Sequence, residues 1–205
     1  MKRVGILGGT FNPPHLGHLA VARDARGELA LDLVLLMPAH IPPHKLAAED
    51  PGCEHRLCMC RLLVEGTDGV SVCALEIERD GPSYTVDTLE AIHASHPDAE
   101  LTFIVGADTA STLPAWREPA KLLALADLAV AARAGTQRLD VLDAVAPLSG
   151  AAGVKFLHTP VMEISSSMAR ERAAKGEPID DLVGGAVARY IEGHSLYRSG
   201  TEAGS

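Results

Sequence analysis

Six short apolar runs, at residues 4–7, 33–37, 70–73, 101–105, 128–131 and 154–157, alternate along the chain with longer stretches of helical periodicity. The runs read as strands, and residues 16–28, 54–65, 84–96, 119–125 and 139–146 read as the helices between them. Several runs are apolar throughout. A strand with one wet face alternates, whereas a strand covered by helices on both faces has no polar side to show. The pattern therefore predicts an α/β fold built on a doubly wound parallel sheet. The rhythm changes near the end. Residues 165–175 and 183–192 read as successive helices separated by Gly176-Glu177-Pro178, a small C-terminal helical extension. Residues 1–198 are expected to form one domain, with its helical part at about 160–198, and the polar stretch 199–205 a disordered tail.

At 205 residues the chain can bury about 70% of its unfolded surface, so it needs no disulfide or metal staple. Its 18 Lys and Arg against 27 Asp and Glu leave a net charge of −9. That is the wrong sign for broad contact with nucleic acid or an anionic membrane. Any phosphate held by so acidic a chain must be met by a few local donors. Cys53, Cys58, Cys60 and Cys73 fit neither a secreted disulfide framework nor a common zinc spacing. They are expected as reduced, half-buried thiols on a helix and the strand that follows. The first residues run straight into a strand pattern without an export signal, and no uncharged apolar stretch approaches the roughly 18 residues of a membrane span. The expected location is the cytoplasm. The sequence leaves the choice between monomer and homo-oligomer open.

Ligands of an open parallel sheet bind beyond the carboxyl ends of its strands. After the first apolar run comes Gly8-Gly9-Thr10-Phe11-Asn12-Pro13-Pro14-His15-Leu16-Gly17-His18. This is neither a dinucleotide fingerprint nor a Walker A loop. The two glycines permit unusual φ and close approach of backbone N–H groups to a ligand. The prolines suit the start of a helix. If that helix begins near Pro14, His15 and His18 share one face of its first turn, beside free backbone donors and the positive end of the helix dipole. A phosphate chain is the natural ligand for such a set, with a metal ion as the other use of paired histidines.

Residues 9–18 resemble the GTFxPxHxGH signature of the HxGH nucleotidyltransferase superfamily. Within it the chain is similar to the bacterial nicotinate-nucleotide adenylyltransferases, from Val4 to Tyr197, through five separated motifs. The resemblance implies a Rossmann-like nucleotidyltransferase fold and adenylyl transfer from ATP to nicotinate mononucleotide, yielding deamido-NAD and pyrophosphate in NAD biosynthesis. Mg²⁺ is implied as a companion of ATP rather than as a resident metal, since no carboxylate cage is visible. It further implies that Gly8, Gly9, Thr10, Phe11, His15, Gly17 and His18 contact ATP, with His15 and His18 stabilising the transition state.

Four further stretches carry the rest of the resemblance. Pro42-Pro43-His44-Lys45 resembles a loop that closes over the phosphates and the mononucleotide, which assigns His44 and Lys45 to that substrate and gives Lys45, together with Arg170, the catalytic task of neutralising the polyphosphate. Pro82-Ser83-Tyr84-Thr85 looks by itself like an N-cap, through Ser83, followed by a helix. Against the family it implies that Tyr84 and Thr85 help form the nicotinate pocket. Gly106 and Asp108 end a strand with a flexible residue and a carboxylate suited to a ribose, although Asp108 could equally cap a helix. Trp116, the only tryptophan, is either core or, as the family implies, the platform on which the pyridine ring stacks. Ile164-Ser165-Ser166-Ser167-Met168-Ala169-Arg170 opens a helix capped by Ser165 or Ser166. There the cation of Arg170 opposes the helix dipole unless polyphosphate is present. The family assigns Ile164, Ser165, Ser166 and Arg170 to ATP, and places Arg133 near its phosphates. Departures are small: Asn12 stands where Asp is frequent, Ser167 where Thr is, Ala134 where Pro is, and Gly184-Gly185 where Pro-Glu is.

Two alternatives share the same scaffold. Phosphopantetheine adenylyl transfer uses the same His pair and Ser-rich helix start, in shorter enzymes without the Tyr84 and Trp116 pocket. A non-catalytic nucleotide-binding regulator would not need His15, His18 and Arg170 intact.

Overall fold

The computed structural model describes residues 2–41, 49–79, 81–131, 137–148, 153–158 and 162–198. Strands β1 (Arg3–Gly9), β2 (Leu33–Pro38), β3 (Val70–Val72), β4 (Glu100–Gly106), β5 (Asp127–Ala131) and β6 (Lys155–Leu157) form one sheet in the order β3-β2-β1-β4-β5-β6. Every pairing is parallel. This is the doubly wound arrangement expected from the alternation of apolar runs and helices, and the strands lie where those runs were read.

Helices cover both faces. On one side α1 (Leu16–Glu28), α2 (Cys53–Val64), α7 (Ser166–Ala174), α8 (Asp180–Val183) and α9 (Gly185–Gly193) pack around Leu7, Leu36 and Ile104. On the other, α3 (Thr85–Ser95), α4 (Ala107–Ala110), α5 (Pro119–Leu125) and α6 (Gln137–Val145) pack around Ile6, Phe103 and Val105. Ile6 and Leu7 are neighbours in sequence yet belong to opposite layers, as the strand pleat dictates. That is why β1 shows no polar face. Among the described residues, no helix is long and apolar enough to cross a membrane.

The chain departs from the sequence expectation in three places. The helix read at 183–192 is α9, which starts two residues later, and the short helix α8 ahead of it was not anticipated; Gly184 separates them with φ +82. Helix α4 and a 3-10 turn at Leu113–Ala115 were not anticipated; each is too short to show periodicity. Ser83 does not cap α3. Tyr84 occupies that position, and the Ser83 hydroxyl accepts instead from the backbone N–H of His40 at 2.8 Å. The four cysteines are free thiols, Cys60 buried and the others half-buried.

The pairing of β1 with β4 runs up to Leu7 beside Ile104. Beyond it β1 continues into α1 on one face, and β4 into α4 on the other. The two connections part, and a crevice opens between them at the carboxyl edge of the sheet.

Candidate active site

The first loop leaves the strand without unusual φ at its glycines. Gly8 and Gly9 still belong to β1, and the left-handed residue is Phe11, at φ +52. Aromatic crowding explains the two glycines better. A Cβ on Gly8 would sit 3.1 Å from the Phe103 ring, and one on Gly9 would sit 3.2 Å from the ring of Phe11. The unusual φ expected of Gly8 and Gly9 is therefore not found.

Helix α1 starts at Leu16, so His15 is its N-cap rather than part of its first turn, and His18 is the third helical residue. The backbone N–H of His15 donates to His18 Nδ1 at 3.1 Å. An Nδ1 that accepts cannot carry a hydrogen, so the neutral His18 ring holds its proton on Nε2. The His15 and His18 rings stack with centroids 3.7 Å apart and planes 26° from parallel. Phe11 meets the His18 ring edge-on at 4.8 Å. Gly17 makes the stack possible, because a Cβ there would approach His15 Nδ1 to 3.0 Å and Cε1 to 3.1 Å. His15 is only 8% exposed, so the ring has little room to yield.

A second helix start faces this loop. Ser165 caps α7 by accepting from the Met168 N–H at 3.1 Å, and the Ser166 hydroxyl donates to Pro13 O at 2.8 Å. Arg170 reaches back from α7 to donate to Asn12 O at 2.7 Å and to Ser167 Oγ at 3.3 Å, with Glu49 3.6 Å from its Nε. Tyr197 closes the loop from the C-terminal side, its hydroxyl donating to Asn12 Oδ1 at 2.6 Å. Burial and the nearby Asp50 carboxylate both push that phenol well above its ordinary range, so it remains a neutral donor. Ile164, just ahead of α7, packs against the first core layer.

Beneath the loop lies Arg56 of α2, fully buried. Its Nη1 donates to Thr10 O at 2.8 Å and to Ala39 O at 2.7 Å, its Nη2 to His40 O at 3.0 Å, and its Nε to Asp50 Oδ1 at 3.0 Å. One guanidinium thus ties the loop after β1 to the chain leaving β2.

The other half of the crevice is walled by α3 and by the segment before α5. The Trp116 indole N–H donates to Thr112 Oγ1 at 3.1 Å, and its ring meets Phe103 edge-on at 6.0 Å. The Arg117 guanidinium lies 4.9 Å over the Tyr84 ring, which brings the Trp116 segment onto the start of α3. Behind Tyr84 is a buried polar cluster. Thr88 Oγ1 donates to Glu76 Oε1 at 2.7 Å, and Arg79 donates to Thr88 Oγ1 at 3.2 Å. Burial raises the Glu76 carboxyl above the usual range, against the pull of Thr88, Ser83 and Arg79. Gly106 and Asp108 flank the mouth at the end of β4, with Asp108 exposed in the first turn of α4.

Residues 6–172 match the cytidylyltransferase-like family. A probable nicotinate-nucleotide adenylyltransferase of Salinibacter ruber is 40% identical over 195 residues, covering 95% of this chain and 97% of that protein. The chain belongs to the nicotinate-nucleotide adenylyltransferase family. The nicotinate-nucleotide adenylyltransferase of Bacillus subtilis is 37% identical over 97% of this chain and 100% of its own length. In fold, the chain is similar to a Plasmodium falciparum nicotinic acid mononucleotide adenylyltransferase complexed with NaAD. That likeness has a TM-score of 0.78 at 19% identity, over 96% of this chain and 98% of that one.

Set against the family motifs, the structure gathers His15, His18, Gly17, Ser165, Ser166 and Arg170 around one loop, and Tyr84, Thr85 and Trp116 around the other wall. His44, Lys45 and Arg133 lie outside the described residues. Arg56, Glu76 and Tyr197 are the positions that sequence reasoning passed over. Only Arg56 left a signal: it sits on the buried stripe of α2 with Cys60 and Leu63, where a charge requires a partner.

Proposed function

We propose that this chain transfers the adenylyl group of ATP to nicotinate mononucleotide, with residues 1–198 acting as one catalytic unit. The observation that carries this reading is the stacked His15–His18 pair at the start of α1, beside the α7 start that bears Arg170. A phosphate oxygen of the mononucleotide forms a bond to Pα of ATP. The bond from Pα to the α–β bridging oxygen breaks, and its electron pair leaves with pyrophosphate. The attacking phosphate is already ionised, so no general base and no covalent enzyme intermediate are required. What remains for the protein is alignment and stabilisation of charge.

His18 suits that task because its Nδ1 accepts from the backbone, which puts the hydrogen of the neutral ring on Nε2, the atom that can donate to oxygens gaining charge. His15, held against it by stacking, adds a second donor. Arg170 is already aimed at the loop, and polyphosphate would take over the guanidinium that Glu49 now approaches. Gly8, Gly9, Thr10, Phe11, Gly17, Gly106, Asp108, Ile164, Ser165 and Ser166 complete the ATP side. Tyr84, Thr85 and Trp116 take the mononucleotide, with Trp116 supplying a flat face for the pyridine ring. His44 and Lys45 are assigned to the mononucleotide and the phosphates, and Arg133 to the nucleotide phosphates, on the sequence pattern alone. Among the described residues, no three His, Cys, Asp or Glu side chains come together as metal ligands. Mg²⁺ is assigned to the MgATP substrate, as the family resemblance implies, and no step is routed through a resident metal.

The test is pyrophosphate release from MgATP with nicotinate mononucleotide, nicotinamide mononucleotide and phosphopantetheine side by side. The reading requires nicotinate mononucleotide to be turned over best. Turnover of phosphopantetheine alone would transfer the chain to the other acceptor class, and no release with any acceptor would leave a nucleotide-binding regulator.

A further inference from the structure

Arg117 follows Trp116 directly, and its side chain is thrown back across the start of α3. The turn that sends it there is unusual: Glu118, the next residue, takes φ +48 and caps α5. The guanidinium carbon lies 4.9 Å over the Tyr84 ring. Its charge is only loosely matched, with Nη1 3.5 Å from Asp87 Oδ2 and Nε 4.0 Å from Glu118 Oε2. Lys121, one turn further on, differs: its ammonium is 2.6 Å from Glu90 and 3.9 Å from Glu118. A guanidinium has five N–H donors in a planar fork. Two long contacts leave Arg117 able to meet another carboxylate, and 52% exposure lets one reach it.

We propose that Arg117 is a specificity-determining residue, whose charge favours the mononucleotide bearing a pyridine carboxylate over the one bearing a carboxamide. The proposal rests on the pocket assigned above to Tyr84, Thr85 and Trp116. The two acceptors are nearly the same shape and both offer a carbonyl oxygen to backbone donors. They differ by one negative charge, so shape and neutral hydrogen bonds separate them poorly, and a fixed cation at the ring's edge separates them directly. Asp87 and Glu118 hold the guanidinium in place and also weaken its field. For a partly exposed, partly neutralised cation, the expected discrimination is about tenfold rather than thousandfold. A purely structural Arg117, pinning α5 to α3 through Asp87 and Tyr84, would affect both acceptors alike.

The experiment compares kcat/KM for nicotinate and nicotinamide mononucleotide in the wild type, Arg117→Gln and Arg117→Lys, in low and high salt. In Arg117→Gln the ratio of the two values falls about tenfold, mostly through the KM of the acid. Arg117→Lys keeps most of the ratio. The wild-type ratio shrinks as salt rises, while that of Arg117→Gln stays flat. An active wild type whose ratio survives Arg117→Gln, or a variant that loses both activities equally, overturns the role of Arg117 alone. A wild type inert toward both mononucleotides overturns the parent reading and this one with it.

Discussion

Replacing Arg56 with Met tests whether a buried cation holds the loop after β1 to the chain leaving β2. Met keeps much of the aliphatic stem but no donor. Thr10 O, Ala39 O and His40 O would lose a charged partner, and Asp50 would lose its counter-ion. Removing one member of a buried ion pair costs about 3–5 kcal/mol, because the other is left uncompensated. Two features pull the figure toward the lower end. Asp50 is 29% exposed and so partly solvated, and it still accepts from the Gly52 N–H at 2.9 Å. The three carbonyls pull the other way, since each unsatisfied buried acceptor costs about 1–3 kcal/mol, though not additively. A loss of about 3–4 kcal/mol lowers the melting temperature by about 6–16 °C at this chain length. Thermal unfolding reads it, with Arg56→Lys expected part-way because an ammonium keeps the charge but cannot span four acceptors. Steady-state kinetics on folded material should show KM rising for both substrates, since the guanidinium joins the loop after β1 to the chain leaving β2, the two stretches proposed to lead to ATP and the mononucleotide. An Arg56→Met protein melting within about 2 °C of the wild type, with unchanged KM values, would refute the reasoning.

Three further outcomes follow from the same geometry. His18→Ala removes the Nε2 donor and lowers kcat at least about tenfold to a hundredfold in single-turnover assays, with smaller effects on KM. Gly17→Ala places a methyl 3.0 Å from His15 Nδ1 and pushes the ring away by a few tenths of an ångström, so kcat falls more than the melting temperature does. For Glu76, burial raises the folded-state proton affinity above the ordinary value of 4.5. Its favourable contribution is therefore complete below that value and is lost as pH rises through the raised one. Glu76→Gln keeps an acceptor for Thr88 and carries no charge. Its melting temperature relative to the wild type should improve between about pH 4 and pH 8, and a flat or reversed difference would contradict the burial argument.

The sheet was legible because its cause is spread over many residues: a strand with helices on both faces is apolar along its covered stretch, as at Phe103–Val105 of β4 and Leu128–Ala131 of β5, and that survives in composition. The His15–His18 pair was legible because a three-residue spacing means the same thing wherever a helix begins nearby, even though His15 proved to be the cap itself. Ser83 was misplaced for the opposite reason. A serine before a helix is ordinarily a cap, and only the arrival of His40, 43 residues away in the chain leaving β2, gives its hydroxyl a competing donor. Tyr197 and Glu76 were invisible on the same grounds, since the bond from Tyr197 to Asn12 spans 185 residues and no local pattern encodes it. Residues that touch substrate tend to sit in short, recognisable loops, while those that hold the loops are drawn from anywhere the fold brings near. Arg56 is the informative exception. A charge on an apolar stripe is a local contradiction that only tertiary structure can resolve, and it resolves at the base of the site.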